Sequence, residues 1–170
     1  MKAVRTGLIA AVLVAMMGAF ISGCGAVKKE LTVGSDIKKE DITELYYTDS
    51  ATTNPPRFQR YHFNTEDGKY LFTHEKREGE NVFISEDSIT VTGTLELTEG
   101  QWEEFLNLVN GGTVTKRGEN IATGANKALF LYWAGDKGEY QEFRFNPSEQ
   151  QSAFEAFCLE LKELQMAQKQ

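Results

Sequence analysis

Residues 87–112 read DSITVTGTLELTEGQWEEFLNLVNGG, and this stretch decides the fold class. Ile89, Val91, Leu95 and Leu97 alternate with Thr90, Thr92, Thr94 and Glu96. Successive side chains of a strand point to opposite faces, so the alternation predicts a half-buried strand of an antiparallel sheet. The period then changes without a spacer. Trp102, Phe105, Leu106 and Val109 recur at i, i+3, i+4 and i+7, one apolar stripe of a helix. Thr98 stands where an N-cap belongs, and Gln101 at the third helical position completes a capping box. Asn110-Gly111-Gly112 supplies the stop.

Upstream, ITELYYTDS (42–50) reads as a strand, with the turn-rich ATTNPPR after it. RFQRYHFNTEDGKYLFTHEKREGE (57–80) holds two aromatic-rich runs around Asp67-Gly68, the strongest short signal for a β-hairpin. Downstream, 113–127 is polar and glycine-bearing, a short strand and a loop. ALFLYWAGDKGEYQEFRFN (128–146) reads as a second hairpin about Gly135–Gly138. A last helix is expected from Asn146 as N-cap and Pro147 at the first helical position, with Phe154, Phe157, Cys158, Leu161 and Leu164 on its buried stripe and a fraying tail. Strands, helix, strands, helix without βαβ alternation make an α+β domain. Its sheet is mostly antiparallel, built of two hairpins plus additional strands, and two amphipathic helices pack on one side.

Register sorts the hairpin side chains. A two-residue Asp67-Gly68 loop sets Glu66 opposite Lys69 and Tyr61 opposite His74. Tyr61, Phe63, Tyr70, Phe72 and His74 then share one face, and Phe58, Arg60, His62 and Asn64 the other. That parts the two histidines and removes a joint metal site; a three-residue loop would reunite them. In the second hairpin, a Gly135–Gly138 turn sets Ala134 opposite Glu139. Phe130, Tyr132, Phe143 and Phe145 then share one face, while Leu129, Leu131, Trp133 and Tyr140 share the other with Glu142 and Arg144. Such a pair is either a central one, covered on both sides, or carries an exposed Trp133/Tyr140 patch for a partner or glycan.

The front of the chain reads MKAVRTGLIAAVLVAMMGAFISGC. Lys2 and Arg5 precede an uncharged apolar run of about 15 residues, shorter than the roughly 20 a membrane-crossing helix needs. Small residues then lead to Cys24, the three-part grammar of an export signal. Ile21-Ser22-Gly23-Cys24 resembles the lipobox of bacterial lipoproteins, and beyond it the chain resembles small uncharacterised lipoproteins of bacterial cell surfaces. The resemblance implies a signal peptide over 1–23 and lipidation of Cys24. The lipidated cysteine and a polar spacer then occupy 24–40, a single compact domain 41–167, and the protein sits on the extracytoplasmic side of the cell membrane. Two or more acyl chains hold stably where one holds marginally.

Without residues 1–23, 16 basic residues face 25 acidic ones, a net charge of −9 that argues against nucleic acid as a partner. With Cys24 lipidated, Cys158 has no disulfide partner and reads as a core thiol. No serine sits in a G-x-S-x-G elbow, and no carboxylate pair stands out. In KRGENIATGANK (116–127), Lys127 does not directly follow Gly124, which breaks the phosphate-loop spacing. No catalytic residue, metal or cofactor is therefore assigned. The expected role is a non-catalytic binding or accessory module for an envelope protein or glycan. Its candidate partner-binding residues are Trp133 and Tyr140 on the sheet and Lys116, Arg117 and Asn120 at the 113–127 loop. A carboxylate-dependent hydrolase of wall polymer and a purely structural envelope protein are the alternatives.

Overall fold

The structure is a computed structural model that describes residues 30–51, 57–78, 89–116 and 126–168. Among these, eight strands form one antiparallel sheet: β1 Leu31–Thr32, β2 Ile42–Ala51, β3 Arg57–Glu66, β4 Lys69–Glu78, β5 Ile89–Glu96, β6 Thr113–Lys116, β7 Asn126–Trp133 and β8 Tyr140–Arg144. Two helices, α1 Glu99–Val109 and α2 Gln150–Ala167, complete an α+β fold. The strand order is β1-β6-β8-β7-β2-β3-β4-β5, so α1 carries the chain from the β5 edge back toward the opposite edge.

Local chemistry sets these elements. Thr98 and Gln101 form the capping box: Gln101 N–H donates to Thr98 Oγ1 at 3.2 Å, and Thr98 N–H donates to Gln101 Oε1 at 2.9 Å. The first hairpin takes the register expected of a two-residue loop, with Glu66 opposite Lys69 and Tyr61 opposite His74. Asp67 (φ 50°) and Gly68 (φ 75°) both occupy the left-handed region that such a turn requires.

Leu45, Tyr47, Tyr61, Phe63, Phe72, His74, Leu95, Val114, Leu129, Leu131 and Phe143 are among the buried side chains of the core face of the sheet. Phe63 sits at its centre. Its ring lies 4.5 Å from that of Phe105 on α1, nearly parallel, and 5.7 Å and 6.2 Å from Phe154 and Phe157 on α2. Glu155 pins α2 by polar contacts: its Oε1 accepts from Tyr47 Oη at 2.8 Å on β2 and from Lys127 Nζ at 2.6 Å on β7.

Four departures from the sequence reading follow from local geometry. First, the second hairpin is slipped by one residue: Phe130 faces Glu142, not Phe143. The loop is centred on Asp136: Asp136 N–H donates to Trp133 O at 3.0 Å, Gly138 N–H donates to the Asp136 carboxylate at 2.8 Å, and Gly135 (φ 89°) and Gly138 (φ 74°) both take left-handed backbone. A one-residue slip moves side chains to the other face. Phe143 and Phe145 therefore join Leu129 and Leu131 in the core cluster, and Phe130 and Tyr132 leave them.

Second, α2 begins at Gln150 rather than Pro147. Residues 147–152 run through i→i+3 turns, with Gln150 N–H on Pro147 O at 3.2 Å and Gln151 N–H on Ser148 O at 3.1 Å. On its buried stripe Gln165 takes the place expected of Leu164, which is 41 % exposed. Phe154, Phe157, Cys158 and Leu161 are buried as read from the sequence.

Third, part of the expected spacer is built into the fold. Leu31 and Thr32 pair with Val114 and Thr113, and Val33 and Ile37 are buried in the core. The tight turn between them is held at Thr32, whose carbonyl accepts from Asp36 and Ile37 N–H, while its N–H donates to the Asp36 carboxylate at 2.9 Å.

Fourth, Gly112 does more than end a helix. A Cβ there would overlap the Phe143 ring and lie 3.0 Å from Arg144 O. Gly112→Ala is therefore expected to cost about 2 kcal/mol by overpacking, measured by urea unfolding at constant slope. Gly100→Ala, on the exposed first turn of α1, is the matched change that leaves stability near or above wild type.

Candidate functional site

The alternate residues of the central strands point away from the core face. On β2 these are Glu44, Tyr46 and Thr48; on β3 they are Phe58, Arg60 and His62. Phe130 and Tyr132 of β7 lie opposite Tyr46 and Glu44. Antiparallel pairing sets Tyr46 opposite both His62 and Phe130, and Thr48 opposite both Arg60 and Ala128. All of these side chains are half-buried.

Two interaction groups organise this face. The rings of Tyr46 and His62 stack at 4.1 Å with 5° between their planes, and both reach one carboxylate oxygen. Tyr46 Oη donates to Glu44 Oε1 at 2.6 Å, and His62 Nε2 lies 2.7 Å from it. Burial, followed by that bond to Glu44, raises the Tyr46 pKa well above the ordinary phenol value, so its hydroxyl stays a donor. The second group is cationic. The guanidinium of Arg60 lies 5.1 Å from the Phe58 ring centroid and 5.8 Å from that of Tyr46, and that of Arg77 lies 4.7 Å from Phe58. Glu75 joins them, accepting from Arg77 Nη2 at 2.8 Å and standing 3.7 Å from Arg60 Nη1.

Between the groups lies a shallow recess of about 280 Å³, lined by Tyr46, Thr48, Arg60 and Phe130. It exists because short side chains, Thr48 and its register partner Ala128, sit among long ones. A second shallow recess, at Gly34, Lys38, Lys39, Glu40, Asp41 and Asn110, lies between the 3-10 turn and the end of α1. Lys39 Nζ donates there to Asn107 Oδ1 at 3.0 Å.

The residues singled out from the sequence fall in several places. Trp133 and Tyr140 are half-buried and pack against the core cluster. Lys116 lies 5.6 Å from the Tyr140 ring centroid and 3.4 Å from the Glu139 carboxylate, so exposed Lys116 and half-buried Tyr140 meet where β6 pairs with β8. Cys24, Arg117 and Asn120 lie outside the described residues. His62 and His74 point to opposite faces. Cys158 is buried and unpaired, with its thiol pKa pushed up by burial. Among the described carboxyl groups, Glu155 is held away from its ordinary value. Burial pushes it up, but the hydrogen bonds from Lys127, Gln151 and Tyr47 outweigh that and hold it below its ordinary value. That favours an anchoring anion rather than a proton-holding acid.

The sequence reading placed Phe58, Arg60 and His62 together but missed Tyr46, Thr48 and Phe130 as their neighbours. Tyr46-Tyr47 offers two adjacent tyrosines with no cue as to which faces the core, and Phe130 was hidden by the register slip. No protein family matches the chain, and no characterised protein or solved structure proves similar to it.

Proposed function

We propose that the protein is an extracytoplasmic lipoprotein, tethered to the cell membrane through lipidated Cys24, whose α+β domain is a non-catalytic binding module for an envelope component. The positive n-region, the apolar run and Ile21-Ser22-Gly23-Cys24 support the tether. Two hairpins form the body of the sheet in this reading, with both helices packed on one side of it; the contacts of Phe63 with Phe105, Phe154 and Phe157 support it. The Tyr46 side is then the surface available for recognition.

The observation that carries the binding role is the recess over Thr48, walled by Tyr46, Arg60 and Phe130. Aromatic rings beside an arginine are the combination that dominates binding energy at recognition surfaces, because rings and guanidinium lose little entropy on contact. The test places a photo-crosslinking amino acid at Thr48, and at exposed Ser152 on α2, in cells. Adducts of defined mass from Thr48 alone are expected, and equal adducts from both positions would sink the reading. The tether is checked with a clickable fatty acid, which should label wild type and leave Cys24→Ala unlabelled; equal labelling of the two excludes acylation at Cys24.

A further inference from the structure

Resting on that reading of the Tyr46 face, we infer that the recess over Thr48 is a binding site for a flat organic carboxylate, with Arg60 as its anion-binding residue. Glu75 lies directly opposite Arg60 across β3–β4, yet the Glu75 oxygen nearest to Arg60 is 3.7 Å away, beyond hydrogen-bond distance. That same oxygen accepts from Arg77 at 2.8 Å, and Arg77 is 4 % exposed. Glu75 is thus committed to the buried guanidinium. No described residue accepts a hydrogen bond from the guanidinium of Arg60, whose side chain is 29 % exposed at the recess.

A planar fork of donors with no hydrogen-bond acceptor among the described residues matches the two oxygens of a carboxylate, which such a fork binds through two parallel hydrogen bonds. The surroundings strengthen the match. Phe58 and Tyr46 flank the guanidinium and limit its hydration, which raises the strength of a charge-assisted bond made there. Tyr46 and Phe130 supply apolar walls on which a flat body can lie, and Thr48 leaves the floor shallow. The Tyr46 hydroxyl is occupied by Glu44, so it does not compete for the ligand's charge. A guanidinium fork takes phosphate as well as carboxylate, so the aromatic walls of Tyr46 and Phe130 are what favour a flat carboxylate over inorganic phosphate here.

The experiment titrates the full chain in detergent with benzoate, benzyl alcohol and inorganic phosphate, following backbone amide shifts and heats of binding. Benzoate is expected to bind saturably, in about the millimolar range proper to a ligand of this size, and to shift the amides of Tyr46, Thr48, Arg60 and Phe130. Benzyl alcohol and phosphate should bind at least tenfold more weakly. Arg60→Gln should weaken benzoate at least tenfold, Arg60→Lys by less, and raised salt should weaken the wild type. Thr48→Leu fills the floor without touching any charge and should also weaken benzoate at least tenfold, which keeps the test valid if Arg60→Gln proves poorly folded. Unchanged benzoate affinity in both Arg60→Gln and Thr48→Leu overturns the assignment, as does equal affinity for phosphate. Thr48 crosslinking without benzoate binding overturns the carboxylate and leaves the recognition face standing. Benzoate binding without Thr48 adducts supports the carboxylate site and overturns the role of this face in engaging an envelope component.

Discussion

Phe63→Ala is expected to lower the unfolding free energy by about 4 kcal/mol, the largest effect of any single truncation considered for this domain. Phe63 has no exposed surface, and its ring meets Phe72 of β4, Phe105 of α1 and Phe154 and Phe157 of α2. Removing it takes away contacts that join three separate parts of the chain, and no one neighbour can relax to fill the space without losing its hold on the others. The lost transfer energy therefore adds to an unfilled cavity. Phe63→Leu, which keeps most of the volume, should cost about 1.5 kcal/mol. Phe58→Ala, on the other face and half-buried, should cost less than Phe63→Ala by about half or more, since only part of its ring leaves water on folding. Urea unfolding of the three variants at common slope checks the order. Equal losses at positions 58 and 63 would mean that Phe63 is not the keystone of the core.

How far the fold was legible follows from the kind of signal each segment carries. Thr98 with Gln101, and Asp67 with Gly68, each fix backbone geometry within four residues, and both motifs stand in the structure as read. The sheet face of the first hairpin followed from its turn, because a two-residue loop leaves one register. The second hairpin offered Gly135 and Gly138, and the sequence did not say which glycine governs the turn. Both take left-handed backbone, and the Phe130–Glu142 pair centres the loop on Asp136, which moved Phe130 and Tyr132 off the face of Phe143. The Leu31–Ile37 segment was read as spacer because Leu31, Val33 and Ile37 are too few to show a period; its place comes from pairing with β6, more than 80 residues later in sequence. The recess at Thr48 depends on β7 lying beside β2, a neighbourhood that no local pattern encodes. Arg60 was visible as a residue on the right face. That Glu75 turns to Arg77 instead was not.

Acid should destabilise the domain well before its carboxylates titrate, and His74 is the cause. The ring is fully buried on β4, opposite Gly93 of β5 and beside Tyr61 of β3, whose ring centroid is 5.0 Å away. Its Nε2 lies 3.3 Å from Gln59 Oε1, an oxygen that also accepts from Tyr61 Oη at 3.1 Å and from Lys162 Nζ of α2 at 3.4 Å, and its Nδ1 has no hydrogen-bond partner. Burial, and then the charges of Lys162 and Lys76, push the His74 pKa down to about 4 from an ordinary 6.5. The unfolded chain therefore binds this proton more readily than the folded one between those values. His74 costs the fold nothing above pH 6.5, and stability falls as pH drops from 6.5 toward 4, by roughly 2–3 kcal/mol at about 1.4 kcal/mol per pH unit. Glu155 acts in the same direction but lower: its carboxyl, held below 4.5, contributes stability above that value and loses it only as pH falls further. Unfolding free energies of wild type at pH 7.5 and 4.5 should therefore differ by roughly 2–3 kcal/mol, and His74→Leu, which cannot take the proton, should remove most of that difference. Parallel losses in wild type and His74→Leu would show that the proton enters elsewhere. Because Lys162 belongs to α2, the first region to loosen in acid should be the packing of α2 on β3 and β4, read as faster amide exchange at Leu161 and Gln165 in wild type than in His74→Leu.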